Sequence, residues 1–298
     1  MTPLVVKIIK YLLIFIIILI LLIHIYFSVN PDIINLDKSE ILDFFKEYSP
    51  HYIVVNKRNH HEELFDTLKY PLIFKPDFCQ NYAHGVSLVK NKKQAKEYFE
   101  KSLDDKIIIQ EFHKGPYEGT IHYIRHPLSK KVKIVVVERL PNKNSKKDWI
   151  WKSAVLAKKY GFSIKYRPDL ETEDLKNKIH DISTKVPNLF YGRYDIRFTD
   201  YKKLKKGEGF KILELNEDGS DTRYSETHSF FYNFKILINH FFTRIEFGIL
   251  NIILLRSVNI IDTIKRLYEN ILRISECNHF SHYIHAFDKF KSIFVDSP

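Results

Sequence analysis

Residues 190–198 read FYGRYDIRF and residues 210–218 read FKILELNED. Side chains on a strand alternate between two faces. Arg193, Asp195 and Arg197 therefore share one face of the first segment, and Tyr194, Ile196 and Phe198 the other. The same period puts Ile212, Glu214 and Asn216 on one face of the second segment. If the two strands pair as a hairpin, Asp195, Glu214 and Asn216 converge. Facing carboxylates repel in a low-dielectric site unless a proton or cation stands between them. Two carboxylates and an amide oxygen make a hard-oxygen set suited to Mg2+. The alternative is an edge strand whose polar residues face water, and this pair of segments does not decide between the two.

Earlier segments extend the pattern. Residues 70–76 (YPLIFKP) alternate as a strand and end on Lys75, a point charge suited to phosphate. A loop over 77–84 leads to His84, Gly85 and Val86, where a glycine permits close backbone approach to a ligand. Residues 86–89 read as a short strand, and Asn91 caps a helix running to about residue 103. Residues 106–112 form an apolar strand with a polar end, Gln110-Glu111-Phe112, and Glu118 follows Glu111 by seven residues. Residues 120–125 and 131–138 read as a strand pair. Helices are expected over 38–48, 147–160, 171–185 and 225–274. Strands and helices mix without βαβ alternation, so the fold class is α+β and not a doubly wound sheet.

The succession YPLIFKP, HGVSLV, IIIQEFHKGPYEG, RYDIR and ILELN resembles the ATP-grasp superfamily, in its D-alanine–D-alanine ligase-like branch of carboxylate–amine ligases. The resemblance covers residues 70–224, and its weight lies in the order and spacing of short pieces. It implies two α+β subdomains gripping a nucleotide, with ATP and Mg2+ as cofactors. Lys75 would sit on the α- and β-phosphates, and the loop with His84, Gly85 and Val86 would fold over them. Gln110, Glu111, Phe112 and His113 would form the adenine-binding link. Glu118 would accept from the ribose hydroxyls. Asp195, Glu214 and Asn216 would hold one or two Mg2+ ions. Arg193 would face the transferring phosphoryl group, and Gly219 and Ser220 would shape the loop beside a carboxylate substrate. The implied activity is ATP-dependent joining of a carboxylate to an amine or a thiol through an acyl phosphate, with small-molecule substrates. The chain departs from the family in its short N-terminal part, its glycine-poor phosphate loop and its Glu-Asp-Gly-Ser turn after Asn216.

Composition sets the outer bounds. The 298 residues are 45% hydrophobic and 28% charged, which excludes a largely disordered chain. Two cysteines exclude a disulfide scaffold and a four-cysteine zinc site. The net charge of +11 suits phosphate, anionic lipid or nucleic acid. The basic residues are scattered, however, so nucleic acid is not expected as a partner. Lys202-Lys203-Leu204-Lys205-Lys206 reads most simply as a solvated hairpin loop, with lipid contact as the alternative. Arg125, Lys133, Arg197 and Arg223 read as solvated surface cations, with binding of acidic substrate groups as the alternative. Residues 4–27 are apolar apart from Lys7, Lys10 and His24. A helix over this stretch would reach about 36 Å and suggests an uncleaved single-pass membrane anchor. Flanking charges would put the body outside the cytoplasm, whereas nucleotide chemistry favours the cytosol. The expected organisation is an anchor over 4–27, a short lead-in over 28–69, an ATP-grasp domain over 70–224 and a helical region over 225–298. The competing functional class is a catalytically inactive nucleotide-binding or scaffolding protein on the same fold.

Overall fold

Period-two alternation in this chain builds two separate antiparallel sheets. The structure is a computed structural model, and it describes residues 3–30, 32, 36–59, 63–77, 85–102, 104–141, 162–216 and 230–255. The chain divides into two units, one formed by 1–51 with 113–263 and the other by 52–112 with 264–298. The α+β expectation is met. The expected helix over 147–160 and the tail beyond 255 lie outside the described residues, as do His84, Gly219, Ser220 and Arg223.

In the smaller unit, strands β1 (Tyr52–Asn56), β2 (Leu72–Pro76), β3 (Ser87–Val89) and β4 (Lys106–Glu111) form a sheet of order β1-β4-β2-β3. Strand β1 lies within the segment read from sequence as a lead-in, and it pairs along its whole length with β4. Helix α3 (Leu64–Thr67) is followed after β3 by α4 (Lys92–Lys101). Asn91 caps α4 as expected, its side-chain oxygen accepting from the Gln94 N–H at 3.0 Å. One sheet face buries Leu72, Phe74, Ile107 and Ile109 against Phe65 and Phe99. Phe65 and Phe74 both meet Phe99 edge-on, with centroids 5.0 and 5.9 Å away. Lys75 and Gln110 are thereby left on the opposite face.

The larger unit contains β5 (Tyr117–Arg125), β6 (Val132–Pro141), β7 (Phe162–Tyr166), β8 (Tyr191–Phe198) and β9 (Phe210–Asn216), in the order β7-β6-β5-β8-β9. Helix α5 (Glu173–Ser183) packs against this sheet, burying Leu175, Ile179 and Ile182 completely. Tyr123 and Tyr194 of the covered face find polar partners on that helix, at His180 Nδ1 and the Ser183 hydroxyl, each at 2.8 Å. The basic run at 202–206 is not a hairpin loop. It lies largely in a short helix, α6 (Tyr201–Lys205), started by Asp200, whose carboxylate accepts from the Lys203 N–H. Strand β7 was not legible in advance.

The pairing of β8 with β9 corrects one detail. Asp195 stands opposite Glu214, but Ile196 stands opposite Ile212, so Leu213 is an extra residue in a β-bulge. The bulge shifts the alternation. Ile212 joins the core at 0% exposure, while Glu214 and Asn216 keep the face of Asp195 and Arg193.

The N-terminal part is integral to this unit. Helix α2 (Lys38–Asp43) packs on β9, and Phe45 inserts edge-on against Tyr194 with centroids 5.8 Å apart. Helix α1 (Pro3–Phe27) runs against α7 (Phe230–Leu255). Asn251 donates to the carbonyls of Ser28 and Val29, at 3.1 and 2.8 Å. A Cβ on Gly248 would stand 1.9 Å from the Ile25 carbonyl oxygen, so only glycine fits at this crossing. Among the described residues no helix is long and apolar enough to cross a membrane. The anchor expected over 4–27 thus has no support from the structure beyond the helix itself.

Phe45 is 0% exposed, and Phe45→Ala should cost about 3–5 kcal/mol of stability. Urea unfolding of the purified chain checks this; a loss under about 1 kcal/mol would show that the lead-in is not part of the core.

Candidate functional site

The face of the five-stranded sheet opposite α5 carries charges in register. One row across it is Arg139, Glu118, Arg197 and Lys211, on β6, β5, β8 and β9. The next row is Val137, Thr120, Asp195 and Glu214, and the third ends on Arg193 and Asn216. Alternation within each strand places most of these residues, and the bulge at Leu213 brings Glu214 onto the same face as Lys211. Gly119 belongs to that geometry, since a Cβ there would stand 2.7 Å from the Val137 carbonyl oxygen.

Arg139 joins the first two rows. Its guanidinium donates to Glu118 Oε1 at 3.1 Å and to Asp195 Oδ2 at 3.2 Å. Arg193 Nε donates to Asp195 Oδ1 at 2.9 Å. Arg197 donates to Glu118 Oε2 from both Nε and Nη2, at 3.1 and 2.9 Å. Lys38, from α2, pairs with Glu214 Oε1 at 3.1 Å. Burial alone would raise the Asp195 carboxyl, but Arg139 and Arg193 outweigh it and hold the group below its ordinary value of 3.8. Burial likewise works against the Arg139 charge, and the Asp195 and Glu118 carboxylates more than restore it. His113 is pushed down by its burial first, then by Arg197 and Lys211. Its Nδ1 accepts from the Gly115 N–H at 3.1 Å.

The cations expected from facing carboxylates are thus supplied by the protein itself. The structure brings together Arg193, Asp195, Glu214, Asn216 and Glu118, and adds Arg139 and Lys38, which sequence reasoning missed. Arg139 lies one residue beyond the strand read over 131–138, which in fact runs to Pro141, and Lys38 lies in the lead-in, far from every motif. Arg197 is not the surface cation expected: it is 6% exposed and clamped on Glu118. Both Glu118 oxygens are engaged by arginines, so the carboxylate is a hub of the sheet. Arg125 stacks on the Phe190 ring, 4.7 Å from its centroid.

Among the described residues no group of three or more His, Cys, Asp or Glu is disposed to hold a metal. Asp195 and Glu214 supply two carboxylates, and a cation there needs the Asn216 amide oxygen as a third donor. That set of hard oxygens on adjacent strands suits Mg2+ by donor type, with both Asp195 oxygens and Glu214 Oε1 shared with Arg139, Arg193 and Lys38.

The smaller unit has its own polar pair. Lys75 Nζ donates to Gln110 Oε1 at 3.1 Å, with the two residues 5% and 3% exposed. Gln110 Nε2 is buried without a hydrogen-bond partner among the described residues. Glu111 ends β4, exposed, and Phe112 follows it. Gly85 precedes Val86 and β3 at φ +73°, with Pro76 ring atoms 2.9 Å from where a Cβ would stand. The Tyr98 hydroxyl donates to its carbonyl at 2.7 Å.

Arg139→Met should cost about 3–5 kcal/mol, because it leaves buried carboxylate charge under-compensated. Asp195 is depressed in the folded state, so its stabilisation is complete above its ordinary value of 3.8 and is lost as pH falls through the lower folded value. The substitution raises that folded value. With the folded value closer to the unfolded one, less stability remains to be lost to acid. Stability should therefore fall less between about pH 7 and about pH 3 than in the wild type, as urea midpoints would show.

No protein-family model matches the chain, and no curated protein matches it. Solved structures do. D-alanine–D-alanine ligase from Bacillus anthracis is 18% identical, with 74% of this chain and 68% of that chain covered and a TM-score of 0.48. The D-Ala:D-Ser ligase from Enterococcus faecalis is 17% identical, with 69% and 61% covered and a TM-score of 0.46. An N5-carboxyaminoimidazole ribonucleotide synthetase, solved as its ADP complex, is 14% identical, with 62% and 45% covered and a TM-score of 0.44. The chain spans less than half the length of that synthetase and about three-fifths to two-thirds of the two ligases.

Proposed function

We propose that the chain is an ATP-grasp-type ligase that activates a carboxylate with ATP and joins it to an amine or similar nucleophile. The observation that carries the reading is the charged face of the five-stranded sheet, where Arg193, Asp195, Glu214 and Asn216 occupy neighbouring positions on β8 and β9. Mg2+ held by Asp195, Glu214 and the Asn216 amide oxygen would neutralise charge on phosphate oxygens. Arg193 would draw a phosphoryl group toward this face. Lys75 supplies a positive charge for phosphate, and Gln110 a buried amide whose unmatched donor suits an acceptor on a bound base. In such a reaction the substrate carboxylate attacks the γ-phosphorus of ATP and ADP leaves. The amine then attacks the acyl carbon and inorganic phosphate leaves. The protein orients groups and offsets charge, and no protein nucleophile is needed.

One observation favours the second reading, an inactive nucleotide-binding or scaffolding protein. Both Asp195 oxygens and both Glu118 oxygens already have arginine partners. Turnover separates the two readings. Mg2+-dependent phosphate release by the full chain, screened with ATP and pools of amino acids and small acids, should fall on the order of a hundredfold or more in Glu214→Ala while the chain still folds. Unchanged release in that variant defeats the metal assignment, and ATP binding without release under any pool supports the second reading.

Attachment to lipid through residues 4–27 is a further part of the proposal. It is supported by the apolar side chains from Tyr11 to Leu22, each more than a third exposed. The full chain should float with vesicles in a density gradient, and recovery at the bottom with soluble protein would reject the attachment.

A further inference from the structure

Among the described residues, Lys38 reaches the candidate metal face from outside the five strands. Lys38 opens helix α2 and is 9% exposed. Its position is set by packing, since Ile41 and Leu42 of the same helix are 4% and 2% exposed and the helix lies against β9. The entry to the helix is fixed as well, because the Asp37 N–H donates to the Glu40 carboxylate at 2.6 Å. An ammonium held this far from water needs a counter-charge. It finds one at Glu214 Oε1, 3.1 Å away.

That contact divides the Glu214 carboxylate. One oxygen is committed to a protein cation, and among the described residues no ion pair holds the other. We propose that Lys38 is a specificity-determining residue for the metal: by holding Oε1, it restricts Glu214 to binding a metal through a single oxygen. The inference rests on the reading of Asp195, Glu214 and Asn216 as metal donors. Its chemical content follows from the different demands of the two common hard cations. Mg2+ is small, takes about six ligands in an octahedron and is served by single carboxylate oxygens. Ca2+ takes about six to eight oxygens and gains from carboxylates that bind through both. With Lys38 in place the site favours Mg2+, and also Mn2+, which accepts the same octahedral oxygen set. Without it, Glu214 can turn both oxygens to the metal, and Ca2+ gains most.

Mn2+ bound to the full chain, followed by electron paramagnetic resonance, provides a probe that does not depend on turnover. Displacement of Mn2+ by Mg2+ and by Ca2+ gives a selectivity ratio for each variant. In the wild type, Mg2+ should displace Mn2+ at lower concentration than Ca2+ does. Lys38→Met keeps the apolar stem and removes the charge; it should narrow the ratio about tenfold in favour of Ca2+. Lys38→Arg still occupies the carboxylate and should keep the wild-type preference. If Lys38→Met does not fold, Lys38→Gln is read in the same assay and should narrow the ratio in the same direction. A ratio equal to wild type in either folded neutral variant overturns the inference. Glu214→Gln separates this from the underlying reading. If it weakens Mn2+ binding while the Lys38 variants leave the ratio unchanged, only the role of Lys38 falls. If the wild type binds no Mn2+, or Glu214→Gln binds it as well as wild type, the metal assignment falls and the role of Lys38 with it.

Discussion

Asp195 and Glu214 face each other across two neighbouring strands, and their mutual repulsion has to be offset before the sheet can close around them. The larger unit solves this with its own cations. Arg139 reaches across from β6, Arg193 folds back along β8, and Lys38 comes in from α2. Glu118 is held the same way between Arg139 and Arg197. The outcome is a charged lattice on one face of a sheet whose other face is largely apolar and packs against α5, with Glu138 paired there to Arg167. Buried pairs of this kind add little net stability compared with well-packed apolar residues, but removing a single member is costly. The lattice is better understood as a device that keeps several charges at fixed positions where water is scarce.

Those fixed charges determine what the face can do. Five cations (Lys38, Arg139, Arg193, Arg197 and Lys211) stand against three carboxylates, so the surface favours anions such as phosphate groups. The carboxylates remain available as hard donors only to the extent that their arginine and lysine partners leave oxygens unclaimed. Under the proposed function the same side chains would bear on folding and on ligand choice. This is why the candidate site and the core of this unit cannot be separated residue by residue.

Local alternation made much of this legible in advance. The polar face of β8, the strand ending on Lys75 and the Asn91 cap follow from sequence period and capping chemistry alone. The shared face of Asp195 and Glu214 was also readable, though for an incomplete reason: strict alternation put Ile212 there too, and the bulge at Leu213 takes it into the core. A bulge leaves no mark in the hydrophobic pattern when the extra residue is itself apolar. Strand β1 was hidden because its partner, β4, lies some fifty residues away and only that pairing makes it a strand. Arg139 and Lys38 were missed because their roles arise from register and packing between elements distant in sequence. Arg197 was misread as a surface charge because alternation gives a face without saying what covers it.

The close of α1 bears on how the protein can be handled as a shortened polypeptide. Val29 packs with Phe190, Tyr191 and Phe247, and the Asn30 side chain bonds to the backbone of residues 190 and 191. Cutting away the hydrophobic leader immediately before Pro31 would remove those contacts, along with both carbonyls that Asn251 caps. Such a trimmed protein would begin with an unsealed edge beside β8. A cut several residues earlier, inside the last turn of α1, would retain Ser28, Val29 and Asn30 and shed most of the greasy surface.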